Sequence, residues 1–283
     1  MTIFQALGES QKLLKKAAIS TSQLDSEVLL AHILKVERSY LFAHSEQSFS
    51  KKQLQGFRGF IKKRAQRVPC AYLVGYKEFY GSAFFVNSSV LIPRPDTEVL
   101  VECVSRYLLE YPEKKNILDI GTGSGCIAIT LALQHPKLNL VGTDISSKAL
   151  SLARKNVKHF GCEKRVRILR ANLYPASPKR FDIIVSNPPY LSTKEYSTAL
   201  KKYPELKYEP RGSLVAKDNG RALLDAIIKT CGNHLDKNGI IFLEIGSVQR
   251  LYIKTAIKKY LPSASVVFHR DLAGRTRVAE IRL

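Results

Sequence analysis

The sequence predicts an α/β protein that contains a mainly parallel sheet, a C-terminal antiparallel hairpin and a small helical N-terminal domain. Three observations support this prediction. The N-terminal quarter is patterned only for helices, short apolar runs alternate with helical patterns after residue 116, and two β-patterned segments end the chain. The length of 283 residues fits one large domain and one small domain.

The small helical domain is predicted at 1–75. Apolar residues between 24 and 34 recur at spacings of three and four, as they do on one face of a helix. Aromatic and β-branched residues then dominate 76–95, where turn residues interrupt them, and this pattern predicts a β-hairpin that connects the two domains. The larger domain is expected at 96–283.

The larger domain opens with a helix, which we expect to begin near Asp96 or Thr97 and to run to about Leu109. Beyond it, helical patterns separate the apolar runs, which predicts helices on both faces of a parallel sheet. A turn signal separates the last two segments and predicts the antiparallel hairpin. The predicted strands are 117–120, 138–143, 166–169, 181–186 and 240–245, and those of the hairpin are 265–269 and 277–282.

Charge narrows the class of partner. The chain has 45 Lys and Arg residues against 24 Asp and Glu residues, a formal net charge of +21. Such an excess predicts an anionic partner, with nucleic acid as the first candidate. A generally basic proteome explains the same charge, so this observation does not name the ligand.

Cysteine usage and hydropathy argue against a disulfide-rich protein, a metal-binding protein and a membrane protein. The five cysteines are odd in number, widely spaced and never in a C-x-x-C pair, so we expect neither a disulfide framework nor a metal site. The sequence contains no apolar run of about 18 residues and no signal-peptide or transit-peptide pattern at its start. We therefore expect a cytoplasmic protein that does not enter a membrane.

A glycine-rich loop follows the first strand of the predicted sheet, in the run ILDIGTGSGCIAITLA. Gly121, Gly123 and Gly125 let the backbone turn sharply and approach a ligand, and the loop leads into a helix N-terminus that favours polar or anionic groups. The spacing G-x-G-x-G differs from the dinucleotide fingerprint G-x-G-x-x-G. Asp144 follows Gly125 by about 19 residues and ends the next strand, where a carboxylate that binds ribose hydroxyls is expected.

Both acidic residues near this loop have alternative explanations. Asp144 is equally suited to be the N-cap of a helix that begins near Lys148. Asp119 lies inside an apolar strand, where an unpaired carboxylate is costly, so it needs loop amides or a ligand cation as a partner. Ligands of open α/β sheets bind at the carboxyl edge of the strands, where both residues are expected to lie.

The fourth predicted strand leads directly into Asn187, Pro188, Pro189 and Tyr190. The two prolines have fixed φ angles and no N–H groups, so their carbonyl acceptors are held still. The Asn187 side-chain oxygen and the Pro188 carbonyl suit the two protons of a planar NH₂ group, with the Tyr190 ring against its plane. A turn that ends a strand is the alternative. Together with the glycine loop and Asp144, the motif indicates methyl transfer from S-adenosylmethionine to a planar nitrogen.

The chain resembles the release-factor glutamine methyltransferase family, also called PrmC or HemK. This resemblance implies a Rossmann-like class I methyltransferase domain behind a small helical substrate-recognition domain. The implied activity is methylation of the side-chain amide nitrogen, N5, of the glutamine in the Gly-Gly-Gln motif of peptide-chain release factors. Besides the glycine loop and NPPY, the matching segments are LDSEVLLAHIL at 24–34, PCAYLVGYKEFYG at 69–81, LIPRPDTEVLV at 91–101, YEPRGSL at 208–214, LEIG at 243–246 and DLAGRTRV at 271–278.

The resemblance also implies roles for individual residues. Many related methyltransferases place an acidic residue where this chain has Asn172, and the amide oxygen of Asn172 accepts from the adenine amine instead. The catalytic residues are expected to be Asn187, Pro188 and Tyr190, and Pro189 joins them in binding substrate. The expected cofactor contacts are Gly121, Thr122, Gly123, Ser124, Gly125, Asp144, Asn172 and Asn187.

Three charged residues of the matching segments stay outside this set. Arg94, Glu98 and Glu244 recur in the family signature, and a role as buried ion pairs that brace the connector explains them equally well.

Two other functions stay open at this stage. The exocyclic amine of a nucleic-acid base has the same planar shape as a glutamine amide, enzymes flip such bases into pockets, and the positive charge fits this substrate. A factor that binds S-adenosylmethionine or the ribosome without catalysis would use the basic surface alone, but it has no need for an intact NPPY. We expect class 1 release factors as partners, no requirement for direct nucleic-acid binding, and a monomer.

Overall fold

The computed structural model describes residues 1–176 and 180–283. The chain forms two compact units. The first unit contains Met1–Tyr76 and Tyr203–Tyr208, and the second contains Lys77–Lys202 and Glu209–Leu283. Within the described ranges, no helix is both long enough and apolar enough to span a membrane.

The first unit consists of helices packed around a core of Leu, Ile and Phe side chains. Thr2 and Ser50 begin two of these helices with capping boxes, in which each hydroxyl accepts a backbone N–H three residues on. The buried Arg64 donates to Asp25 at 2.7 Å and to Glu205 at 3.2 Å, so ion pairs attach the segment 203–208 to the helices. The helices are α1 (Ile3–Lys16), α2 (Ser22–Leu34), α3 (Arg38–Ala43), α4 (Lys51–Ala65) and α5 (Cys70–Val74).

The second unit begins within a two-stranded sheet of β1 (Tyr76–Phe79) and β2 (Ser82–Phe85). Seven further strands form one sheet: β3 (Asn116–Ile120), β4 (Asn139–Asp144), β5 (Val166–Arg170), β6 (Phe181–Ser186), β7 (Leu235–Glu244), β8 (Ser265–Arg270) and β9 (Thr276–Arg282). The helices are α6 (Glu98–Glu110), α7 (Cys126–Gln134), α8 (Ser147–His159), α9 (Thr193–Lys202), α10 (Lys217–Gly220), α11 (Ala222–Thr230) and α12 (Arg250–Tyr260).

The order of strands in the large sheet is β5-β4-β3-β6-β7-β9-β8. The strands from β5 to β7 in this order pair in parallel, whereas β9 pairs antiparallel with both β7 and β8. This arrangement confirms the predicted α/β architecture with its C-terminal antiparallel hairpin. The chain proceeds outward from β3 to β4 and β5, and then returns to place β6 on the other side of β3. The reversal creates a topological switch point between β3 and β6.

The central strands are apolar along almost their whole length because both faces of the sheet are covered. Side chains of β3 alternate between two clusters: Ile117 packs with residues of α6 and α7 on one face, and Leu118 packs with residues of α11 and α12 on the other. Both side chains are fully buried. This two-sided burial explains why the strands read as continuous apolar runs rather than as alternating patterns.

The start of α6 differs from the sequence-based expectation. Residues 95–97 form a 3₁₀ turn, and the α-helix begins at Glu98. Neither Asp96 nor Thr97 caps it through a side-chain hydrogen bond, because the Thr97 hydroxyl donates to Glu244 and Asp96 pairs with Arg277. The polar residues that a local pattern assigns to capping are therefore used in long-range contacts.

Asn156 of α8 joins three parts of the second unit. Its side-chain amide accepts from the Phe85 N–H at 2.9 Å and donates to the Phe85 carbonyl at 3.0 Å and to the Ser124 carbonyl at 2.8 Å. The side chain is fully buried, so these partners replace water completely. Asn156 thereby fixes strand β2 and the glycine loop to the same helix.

Asn156→Ala is expected to lower the free energy of unfolding by roughly 2–3 kcal/mol, because it leaves buried backbone groups without partners. Denaturant unfolding followed by circular dichroism measures this change. Asn139→Ala, at an exposed position in β4, is the matched control and should stay within about 0.5 kcal/mol of the wild type. Equal effects of the two substitutions would contradict the assigned role.

Candidate functional site

The site lies where β3 and β6 end side by side. Ile120 and Ser186 are paired in the parallel register of these strands, so the loops that follow them leave the same edge of the sheet. The Ser186 hydroxyl donates to the Ile120 carbonyl at 2.7 Å and ties the two strand ends together. The glycine loop and the NPPY segment are about 60 residues apart in sequence, and the switch point brings them together.

Backbone bonds hold the glycine loop against the end of β4. The N–H groups of Gly121 and Thr122 both donate to the Thr143 carbonyl, at 2.8 and 2.9 Å. Gly125 has φ +83, and a Cβ there would lie 3.1 Å from the Ile129 side chain, so both conformation and space favour glycine at the start of α7.

Asp144 stands at the carboxyl end of β4 with its carboxylate held by the backbone. One oxygen accepts from the Gly123 N–H at 3.1 Å, and the other accepts from the Ser146 N–H at 2.9 Å. The alternative role as a helix N-cap is wrong, since Ser146 caps α8 and its hydroxyl accepts from the Ala149 N–H. Asp144 is half-buried, and each oxygen has lone pairs left for a ligand.

Asp119 is fully buried beneath the glycine loop. The Thr122 hydroxyl donates to Oδ2 at 2.6 Å, whereas Oδ1 has no hydrogen-bond partner in the part of the chain that the structure describes. Burial raises the pKa of Asp119 to about 7, and the charge of Asp144 acts in the same direction. The glycine loop is therefore bonded to a carboxyl group, that of Asp119, whose ionisation is unfavourable.

The NPPY segment is connected to a buried carboxyl group through a threonine. The Asn187 Nδ2 donates to the Thr97 hydroxyl at 3.0 Å, and this hydroxyl donates to Glu244 Oε2 at 2.7 Å. Thr97 is 3% exposed and Glu244 is 1% exposed. Burial raises the pKa of Glu244 to about 7.

Tyr190 is held from several sides. Its carbonyl accepts from the Gln249 side chain at 3.2 Å, and its hydroxyl lies 3.5 Å from both Glu244 and Arg277. Burial raises the pKa of Tyr190 to about 12, so the phenol stays protonated. A Cβ on Gly220 would lie 2.1 Å from the Tyr190 carbonyl oxygen, and Gly220 has φ +81, so only glycine allows this approach.

A cavity of about 280 Å³ opens between these loops. Segment 89–97, which sequence analysis treated mainly as a connector, contributes Val90, Arg94 and Thr97 to its lining. The predicted residues Gly125, Pro188 and Tyr190 are not part of the lining. The predicted residues that do line the cavity are Gly121, Thr122, Gly123, Ser124, Asp144, Asn172, Asn187 and Pro189.

The three charged residues left unassigned have separate partners. Arg94 pairs with the buried Glu209, which also accepts from the Ile92 N–H at 3.1 Å. Glu98 accepts from the Tyr80 N–H at 2.9 Å, and Glu244 accepts from Thr97. Arg94 is thus in an ion pair, whereas Glu98 and Glu244 are held by hydrogen bonds from uncharged donors.

Sequence analysis missed Thr97, Gln249 and Arg277 as parts of the site. Thr97 looks like a helix cap, Arg277 lies in the matching segment 271–278 without a role assigned to it, and Gln249 lies outside every motif. Their contacts join residues 59 to 90 positions apart, and a local pattern carries no signal for such pairs.

Two family models and several curated proteins match this chain. Residues 5–75 match the family described as PrmC N-terminal domain, and residues 95–203 match the one described as Methyltransferase small domain. A protein of Leptospira interrogans named Release factor glutamine methyltransferase is 35% identical over 280 residues, which cover 98% of this chain and 96% of that protein. The chain belongs to the release factor glutamine methyltransferase family.

Two further comparisons concern a longer protein and a solved structure. A Rickettsia prowazekii protein named Bifunctional methyltransferase is 35% identical over 299 residues, and the chain spans 57% of its length. The solved N-terminal domain of human METTL16, in complex with SAH, has a TM-score of 0.53 at 13% identity, with coverage of 89% of this chain and 93% of that one. This likeness shows that the chain shares its fold with that domain.

The buried carboxyl of Asp119 makes the stability of the protein without ligands pH-dependent. Its folded-state pKa lies above the ordinary value, so its contribution is complete below about pH 4 and is lost as the pH rises to about 7. Asp119→Asn is therefore expected to gain stability relative to the wild type over this window, at roughly 1 kcal/mol per pH unit. Thermal unfolding at pH 5 and pH 8 measures this difference, and a difference that does not change with pH would contradict the assignment.

Proposed function

We propose that this protein methylates the side-chain amide nitrogen of the glutamine in the Gly-Gly-Gln motif of class 1 peptide-chain release factors, with S-adenosylmethionine as donor. One observation carries the proposal: the glycine loop, Asp144 and Asn187 line a single cavity at the switch point of the sheet. The family relationship supports the proposal. The Leptospira relative is named for this reaction, and it matches this chain over nearly the full length of both proteins.

The cavity fits a nucleoside-bearing cofactor. Each oxygen of Asp144 already accepts one backbone N–H, so the carboxylate is oriented and has lone pairs for two ribose hydroxyls. Ile145, which is 66% exposed, and Leu173 supply apolar surface for a base on the cavity lining, and Asn172 supplies an amide. We assign cofactor binding to these residues together with the loop Gly121, Thr122, Gly123, Ser124 and Gly125, and with Asn187.

Asn187 and Pro188 orient the acceptor nitrogen. When bound, S-adenosylmethionine supplies a methyl carbon made electrophilic by its sulfonium group. A glutamine amide nitrogen is a poor nucleophile because its lone pair is delocalised. Acceptors at the Asn187 side chain and the Pro188 carbonyl hold both N–H protons and favour the pyramidal form that attacks, which is differential stabilisation of the transition state.

Pro189 and Tyr190 complete the acceptor rim. The paired prolines keep the backbone rigid, and the contacts of Tyr190 with Gln249 and Glu244 fix the end of the segment. The methylated nitrogen is acidic enough to lose its proton to water or to a carbonyl oxygen, so we assign no side chain as general base. Positioning is the main contribution, and it supplies about 7–11 kcal/mol in favourable cases.

The partner we propose is a release factor rather than nucleic acid. The net charge of +21 suits an acidic protein surface as well as a nucleic acid. Residues 5–75 match a family described by the PrmC name, which favours the protein substrate. We further propose that the protein acts as a monomer in the cytoplasm and needs no direct contact with nucleic acid or membrane.

The proposal is tested by incubating the protein with labelled S-adenosylmethionine and either a release factor or nucleic acid, followed by mass mapping of the Gly-Gly-Gln peptide. One added methyl group on the glutamine is expected, and label in the nucleic acid alone would contradict the proposal. Asn187→Ala should lower kcat by about 100- to 1000-fold, because an acceptor for the reacting group is lost. Binding of S-adenosylhomocysteine should change modestly, and the exposed control Asn233→Ala should match the wild type.

A further inference from the structure

The Asn187 side chain has two ends of nearly equal size and opposite hydrogen-bonding character. Its Oδ1 accepts hydrogen bonds, whereas its Nδ2 donates two. A rotation of about 180° around the last side-chain bond exchanges the two ends at little steric cost. Asn187 accepts from an NH₂ group only when Oδ1 faces the cavity. A neighbouring hydrogen-bonding group must therefore select this orientation of the amide.

Thr97 supplies a directional contact to this amide. A hydroxyl group carries one proton, and the Thr97 proton is directed to Glu244 Oε2 at 2.7 Å. Toward Asn187, 3.0 Å away, the same oxygen is therefore an acceptor, and Nδ2 turns toward it. The opposite end of the amide, Oδ1, is then left for the substrate.

We propose that the Glu244 carboxylate, acting through the Thr97 hydroxyl, sets the orientation of the Asn187 amide and thereby makes Thr97 and Glu244 positioning residues for methyl transfer. This inference rests on the proposed function, in which Asn187 receives an amide N–H of the substrate. It adds two residues to which the proposed reaction gives no contact with the acceptor nitrogen. Thr97 acts through its contact with Asn187, and Glu244 acts through Thr97.

Several charged groups surround Glu244 and influence the pH at which its carboxyl group ionises. Arg277 of β9 and Asp96 of the 3₁₀ turn act on it with opposite signs, and the Tyr190 hydroxyl lies 3.5 Å away. Arg277 is itself shared, with ion pairs to Asp96 at 2.7 Å and to Asp271 at 3.1 Å. Burial is the largest influence and raises the pKa of Glu244 to about 7.

Protonation of Glu244 would reverse the chain of hydrogen bonds. A protonated carboxyl group donates to the Thr97 oxygen, which frees the Thr97 proton to point toward Asn187. That geometry favours the rotated amide, in which Oδ1 accepts from Thr97 and Nδ2 faces the substrate. The carboxylate is thus the active form, and kcat should fall about tenfold per pH unit as the pH drops below about 7.

Thr97→Val removes the hydroxyl at constant shape, and Thr97→Ser keeps it. With release factor and S-adenosylmethionine, we expect Thr97→Val to lower kcat by about 10- to 100-fold with little change in the Kd of S-adenosylhomocysteine. Thr97→Ser should restore kcat to within about threefold of the wild type, because the directional contact returns. A role in packing alone would make Ser the worse replacement, since Val preserves the volume.

Glu244→Gln gives a second, independent measurement. Glutamine has no carboxyl proton, so the fall in kcat between pH 8 and pH 6 should disappear in this variant. The wild-type pH profile itself needs no variant and should show the acid limb. Thermal unfolding of each variant confirms that the fold is kept.

Three results would overturn the inference: Thr97→Val active within twofold of the wild type, a wild-type kcat that is flat between pH 6 and pH 8, or an acid limb that persists in Glu244→Gln. Failure of the proposed function looks different, because the wild type itself would then leave the Gly-Gly-Gln glutamine unmethylated.

Discussion

The pairing of β3 with β6 is the constraint on which the site depends. Ile120 and Ser186 are register partners, and the Ser186 hydroxyl bonds to the Ile120 carbonyl, so the two strand ends cannot move apart independently. Because the connections reverse direction at this point, they leave the sheet on opposite sides and a crevice opens between the strands. The glycine loop and the NPPY segment therefore meet there, although about 60 residues separate them in the sequence.

Two buried carboxyl groups lie beneath this crevice and have different roles. Asp119 lies under the glycine loop and is bonded by Thr122, whereas Glu244 lies behind the acceptor motif and is bonded by Thr97. Both have pKa values raised to about 7 by burial. In each case a threonine hydroxyl donates to the carboxyl group. Thr122 belongs to the glycine loop itself, and Thr97 accepts from Asn187 of the NPPY segment. Burial of such a carboxyl group lowers the stability of the folded protein, whereas its hydrogen bonds fix the geometry of the site.

Much of the fold and part of the site were predictable from the sequence. The apolar runs located the five parallel strands, since two-sided burial leaves an uninterrupted pattern, and the glycine spacing and the paired prolines marked the loops. Thr97 and Asn156 were not predictable in their roles. Thr97 meets Asn187 across 90 residues and Asn156 meets Phe85 across 71, and only the strand order determines these contacts. Local patterns report turns and periodicity, and they carry no information on which distant polar groups will be neighbours.

In the proposed reaction, Asn187 presents its oxygen to the amide of the substrate glutamine. A crystal structure of the protein with S-adenosylhomocysteine and a Gly-Gly-Gln peptide would reveal this contact. We expect the glutamine nitrogen within about 3.2 Å of Asn187 Oδ1, with Nδ2 still donating to Thr97. A glutamine amide bound elsewhere, or an Asn187 side chain turned with Nδ2 toward the peptide, would contradict it.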